Sequence, residues 1–204
     1  MKFKSFSLFS ICTLLLTAST FAVAAPAIGQ PAPDFAAKGS DGKDYRLADF
    51  RGKYVVLEWF NPQCPFVHKH YDSGNMQSLQ ARYTQKGVVW LSIDSSASGS
   101  EGYMTPEDAQ AKRKEWNIHS TATLLDPAGT VGRLYAAKTT PHMFVIDPKG
   151  LLIYEGAIDD RRSADVADIK GARNYVAEAL DQAMAGKAVT MASTRSYGCS
   201  VKYQ

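Results

Sequence analysis

Cys64 is the residue on which a reaction is most easily built. It stands in Asn61-Pro62-Gln63-Cys64-Pro65, directly after the apolar run Tyr54 to Phe60 and before a stretch with helical spacing. Proline is favoured in the first turn of a helix, so Pro65 predicts a helix start. A cysteine at a helix N-terminus is favoured as thiolate, because free N–H groups and the helix dipole face it. The thiolate is the form that attacks peroxides and disulfides. The competing role for Cys64 is that of a buried, inert cysteine.

Cys199, in Tyr197-Gly198-Cys199, is the second candidate. The tail around it lacks apolar spacing, which predicts a mobile segment. A mobile thiol can resolve a sulfenic acid formed at the first sulfur, within one chain or across a homodimer. A permanent Cys64–Cys199 staple and a free tail thiol are the alternatives. Glu58 interrupts the apolar run six positions before Cys64. A carboxyl in such a strand has a raised pKa and can exchange a proton near neutral pH; a water-facing or lysine-paired glutamate is the alternative. His68 follows Cys64 by four residues, on the same predicted helix face. It reads first as a surface histidine, with stabilisation of the thiolate as a second role; Cys64 and His68, with His70 or His142, would also suit copper or zinc, although no second nearby cysteine completes a strong ligand set.

These residues need a frame. The chain has 204 residues, 45% hydrophobic and 21% charged, enough for one domain with a real core. Lys2 and Lys4, the apolar stretch Phe6 to Leu16 and the small residues Ala22-Val23-Ala24 read as a signal peptide over 1–24, cut after Ala24. Cys12 would be discarded with it. The product would be periplasmic or secreted, an oxidising setting where disulfides persist. No later stretch is apolar and long enough to span a bilayer, so stable membrane insertion is not expected. The formal charge of +3 falls to +1 without Lys2 and Lys4, which gives no electrostatic case for nucleic acid.

The remaining chain divides into a domain over 25–188 and a tail over 189–204. Strands are predicted at Tyr54–Phe60, Val88–Ile93, Thr123–Leu125, His142–Asp147 and Leu151–Glu155. Helices are predicted from Pro65, with a break at Asp72–Asn75; from Thr105 to Trp116; from Asp126-Pro127 to Ala137; and from Ile169 to Ala185. Strands alternating with helices predict an α/β domain, a central mixed sheet with helices on both faces.

That order resembles the thioredoxin-like fold, and more narrowly the peroxiredoxin-like redoxins of the alkyl hydroperoxide reductase and thiol-specific antioxidant family. Val55-Val56-Leu57-Glu58-Trp59-Phe60 leading to Cys64-Pro65, Leu125-Asp126-Pro127 with Gly129, Thr140-Pro141 and Phe144-Val145-Ile146-Asp147 carry the resemblance. The segments Cys64 to Tyr71 and Tyr197 to Tyr203 are similar to a less characterised subgroup. The resemblance implies that Glu58 is the buried acid that handles protons, and that Pro141 is a cis-proline facing the reactive cysteine. It also implies that Thr140 offers backbone groups to a bound disulfide or peptide. The chain departs from its relatives at three places. Val67 stands where thioredoxins carry a second cysteine. Leu57 and Asn61 stand where true peroxiredoxins carry Pro and Thr or Ser. Asn61 is then the candidate donor to a peroxide oxygen, with a plain turn residue as the alternative.

The sequence therefore predicts an exported thiol oxidoreductase or peroxiredoxin-like antioxidant protein. Cys64, Cys199 and Glu58 are its catalytic candidates; Thr140, Pro141, Asn61 and Pro65 are its substrate-binding candidates. No cofactor is implied. The partners would be a peroxide or disulfide and a thiol electron donor. The alternative is a non-catalytic binder or metallochaperone on the same fold.

Overall fold

The computed structural model describes residues 25–204. The predicted signal peptide and Cys12 lie outside the described residues. Among the described residues, nine strands and five α-helices follow in chain order: β1 (Ala36–Gly39), β2 (Asp44–Arg46), β3 (Val55–Trp59), α1 (Pro65–Asp72), α2 (Asn75–Thr84), β4 (Val89–Asp94), α3 (Pro106–Glu115), β5 (Ala122–Leu125), α4 (Thr130–Leu134), β6 (Thr139–Thr140), β7 (His142–Ile146), β8 (Leu152–Gly156), α5 (Tyr175–Met184) and β9 (Cys199–Ser200). Seven strands form one mixed sheet in the order β2-β1-β5-β4-β3-β7-β8, while β6 and β9 pair separately. The central β3, β4 and β5 are parallel, and β7 and β8 extend the sheet antiparallel.

Central strands buried on both faces favour apolar residues along their whole length, and β3, β4 and β7 are buried throughout. Alternate side chains enter two cores. Val56, Trp90, Met143 and Val145 pack with α1, α2, α3 and α5 on one face. Val55, Leu57, Trp59, Leu91 and Phe144 pack on the other, with Val131 of α4 and Phe35 of the entry segment. Phe144 lies at the centre of this second core, with its ring 5.2 Å from Trp59 and 5.4 Å from Tyr135.

Local chemistry sets the ends. Thr105 and Asp108 form a reciprocal capping box at the start of α3. Gly74, in the left-handed region, separates α1 from α2 at the predicted break. Two helices start later than predicted. Gly129 is left-handed and holds α4 back to Thr130. Asn174 caps α5, so Val166–Ile169 is only a short 3-10 turn. The hairpin β1–β2 is not among the predicted strands, because each of its strands is short and half exposed. The tail departs furthest from expectation, since β9 is hydrogen-bonded in place rather than mobile.

Phe144→Ala should cost about 3–5 kcal/mol, the usual range for a buried aromatic ring replaced by a cavity. Urea unfolding should show this as a lower midpoint with an unchanged slope.

Candidate functional site

Cys64 is the N-cap of α1, with Pro65 in the first turn as predicted. Its sulfur is enclosed, with the residue only 1% exposed. It donates to the Thr140 carbonyl at 3.0 Å and lies 2.7 Å from the Cys199 sulfur. Both cysteines are free thiols. Two sulfurs at that separation need only a small approach to reach the roughly 2.05 Å of a covalent bond.

Three pieces of backbone bring the sulfurs together. The turn after β3 closes with Cys64 N–H donating to the Asn61 carbonyl. The Thr140–Pro141 peptide bond is cis. The strand before it, β6, pairs antiparallel with β9, setting Thr140 opposite Cys199. The backbone groups of Thr139 and Thr140 thus hold the chain's own tail. Further hydrogen bonds extend this docking: Val201 N–H to the Lys138 carbonyl at 3.1 Å, Ala97 N–H to the Lys202 carbonyl at 2.8 Å, and the Tyr203 hydroxyl to the Ala137 carbonyl at 2.8 Å. Cys199 is only partly buried, so it is the more open of the two sulfurs. Burial, and the contact with Cys64, raise its thiol well above the ordinary value.

Glu58 is fully buried on the face of β3 that carries α1 and α2. Four donors surround its carboxyl: Tyr71 hydroxyl at 2.8 Å, Trp90 indole at 2.8 Å, Ser92 hydroxyl at 3.0 Å and Gln80 amide at 3.1 Å. Burial raises its pKa and the four hydrogen bonds oppose that rise. None of its four partners is a sulfur. Asn61 is committed to local structure: its amide accepts from Gln63 N–H at 2.7 Å and donates to the Glu101 carbonyl at 2.9 Å. The turn reading suits it better than a donor to peroxide. Pro65 is exposed beside the site, while Thr140 and Pro141 line it.

The histidines do not converge. His68 lies at the surface, against the Trp116 ring at 5.0 Å and Asp72 at 3.3 Å. His70 is buried and bonded to Asn75 and Tyr197. His142 accepts from the Lys138 N–H at 3.3 Å. Among the described residues, no group of three or more His, Cys, Asp or Glu is gathered where it could hold a metal ion. The alternative ligand set of Cys64, His68 and a further histidine is therefore not assembled. Sequence reasoning missed the buried cluster of Lys69, Asp159 and Tyr197 beside the site. The Tyr197-Gly198-Cys199 segment was its only signal.

Fold and paired sulfurs together define a thioredoxin-like protein with a two-cysteine centre. The chain belongs to the AhpC/TSA family, whose pattern matches residues 28–155. A thiol-disulfide oxidoreductase ResA from Bacillus thuringiensis is 28% identical, over 63% of this chain and 68% of that protein. Peroxiredoxin-2 from Cricetulus griseus is 31% identical, over 61% and 66%. The crystal structure of an uncharacterized conserved protein from Geobacillus kaustophilus superposes with a TM-score of 0.77 and 27% identity, covering 87% of this chain and 93% of that one. Thiol-dependent oxidoreductase chemistry is the activity this kinship supports. No helix among the described residues is long and apolar enough to cross a membrane.

Glu58 makes its own pH signature. Above the ordinary value of 4.5 the unfolded chain gives up this proton, while the folded chain retains it until the raised pKa is passed. The folded state binds more protons there, so the Glu58 contribution to stability falls as pH rises through that window. Urea midpoints measured from about pH 4 to about pH 8 should show this fall in the wild type and a flatter curve in Glu58→Gln.

Proposed function

We propose that the protein is a thiol oxidoreductase that cycles between a Cys64, Cys199 dithiol and a disulfide within one chain. The approach of the two sulfurs to 2.7 Å beside Pro141 carries this reading. With a peroxide, the Cys64 thiolate attacks the O–O bond, giving Cys64 sulfenic acid and an alcohol or water. Cys199 then attacks that sulfur; the S–S bond forms and water leaves with the Cys199 proton. With a substrate disulfide, Cys64 forms a mixed disulfide and Cys199 displaces the second thiol. A thiol electron donor restores the dithiol. It meets Cys199 first, the more open sulfur, and Cys64 is the leaving thiolate at its helix N-terminus. Glu58 supplies or takes protons only through its hydrogen-bonded neighbours, a supporting role. Pairing within one chain means that no homodimer is needed for resolution.

The decisive measurement is oxidation of the reduced protein by stoichiometric hydrogen peroxide and, separately, by glutathione disulfide, followed by mass spectrometry. The wild type should lose two hydrogens and form a Cys64–Cys199 bond with at least one oxidant. Cys199→Ser should stop at a dimedone-trappable sulfenic acid or a mixed disulfide. Cys64→Ser should remain unreacted, and equal reaction of Cys64→Ser and wild type would overturn the reading.

Export belongs to the same proposal. The charged start, apolar run and Ala22-Val23-Ala24 support it, and an oxidising compartment suits a protein that turns over disulfides. Expressed from the full sequence in a bacterium, the mature protein should appear in the periplasm or medium with Ala25 as its first residue by N-terminal sequencing.

A further inference from the structure

A buried charged cluster lies beneath the tail, and neither step of the redox cycle uses it. Lys69 and His70 are fully buried on α1, and Asp159 is 1% exposed just after β8. Lys69 Nζ is 3.5 Å from Asp159 Oδ2 and donates to the Arg161 carbonyl at 2.6 Å. Asp159 Oδ1 accepts from Arg161 N–H at 3.0 Å and from the Tyr197 hydroxyl. Asp159 Oδ2 has no hydrogen-bond partner. Burying such groups is expensive, and apolar residues of equal volume commonly give equal stability. The cluster is therefore weakly explained by stability alone.

Its hydrogen bonds run in one direction toward the tail. Asn75 donates to His70 Nδ1 at 2.9 Å, which leaves the proton of the neutral ring on Nε2. Burial and the Lys69 charge hold the His70 pKa down to about 3, so the ring is neutral. Nε2 then donates to the Tyr197 hydroxyl at 3.3 Å, and that hydroxyl donates to Asp159. The Tyr197 ring also packs edge-on against Phe66 at 5.9 Å. Three of these contacts, through Phe66, Lys69 and His70, come from α1, the helix that begins at Cys64. Two residues beyond Tyr197, past Gly198, stands Cys199. Gly198 has φ +132°, and a Cβ there would lie 2.1 Å from the Thr140 carbonyl oxygen. Only one residue, pressed against the Thr140 backbone, thus separates the anchored ring from the second sulfur.

Resting on the dithiol reading above, we propose that Tyr197 is a positioning residue for the resolving cysteine. Its hydroxyl, bound to Asp159 and His70, locks the tail to the helix that carries Cys64 and sets how fast Cys199 closes on oxidised Cys64. The step it controls is attack of the Cys199 sulfur on the Cys64 sulfenic acid, forming the S–S bond with loss of water. The first step, at Cys64, does not depend on it. A two-residue strand pairing such as β6–β9 holds little on its own, so the anchor decides the effective concentration of Cys199.

The test compares full-length Tyr197→Phe and Asp159→Asn with the wild type. Tyr197→Phe removes the hydroxyl and its hydrogen bonds, and Asp159→Asn removes the carboxylate charge that the hydroxyl and Lys69 face, each while nearly preserving side-chain size. Peroxide consumption in the first turnover reads the step at Cys64. Dimedone competition reads the lifetime of the sulfenic acid, and equilibration with glutathione reads the effective concentration of Cys199. The first-step rate should stay within about twofold, while closure and effective concentration fall about tenfold, the change expected when a hydrogen bond to a charged group is lost. A lowered unfolding midpoint with wild-type closure in both variants would make the cluster purely structural and overturn the proposal. Absence of any Cys64–Cys199 bond in the oxidised wild type would instead sink the dithiol reading itself.

Discussion

The pairing of Thr140 with Cys199 is the contact on which the arrangement of the two sulfurs depends. Cys64 is placed by its own helix and turn, which are local structures. Cys199 is 135 positions away along the chain, and nothing local brings it back. The β6–β9 pair is too short to be stable alone, so it must be supported from both sides. Tyr197 anchors one side in the buried cluster, while Val201, Lys202 and Tyr203 bond to residues 138, 97 and 137 on the other. The same pairing satisfies the free edge of β6, which would otherwise accept another extended chain. Tail and nucleophile are thereby coupled: while the tail is docked, the partner sulfur is already in contact with Cys64.

Two buried carboxylates show how differently the same chemistry can be handled. Glu58 is met by four neutral donors and no cation, which spreads the demand of its lone pairs over Tyr71, Gln80, Trp90 and Ser92. That ring ties β3, β4, α1 and α2 into one unit behind the reactive cysteine. Asp159 is met by a cation and a histidine from α1 and by a tyrosine from the tail, and one of its oxygens still lacks a hydrogen bond. The first network stiffens the frame. The second joins the frame to the tail, where small changes in position matter to a bond-forming step.

Much of the frame was legible from the residues. Fully buried strands such as Val89–Asp94 appear as mainly apolar runs, and Pro65, Gly74 and the Thr105–Asp108 box mark helix ends by local rules. Elements that rely on partners were less legible. The β1–β2 hairpin has no apolar face of its own, and α5 starts at its Asn174 cap rather than at the predicted Ile169. Of the site, Cys64, Pro65, Glu58, Thr140 and Pro141 could be read, because each has a residue type and spacing peculiar to this fold. The histidines were open between a surface and a ligand role, and the structure sets them apart. His68 and His70 are neighbours in sequence on one helix, yet one faces solvent and the other the interior, and His142 is spent on a backbone N–H.

The sequence by itself therefore determined the α/β frame, the helix-start cysteine and the existence of a second thiol, since these rest on periodicity, capping and composition. Only the tertiary structure decided that the second thiol lies against the first, and that Asp159, Lys69 and His70 hold its strand. The physical reason is that a tail of two paired residues and one buried tyrosine has no periodic signal. Its place is set by hydrogen bonds and charges contributed by segments far apart in the chain, whose meeting depends on the whole sheet being in place.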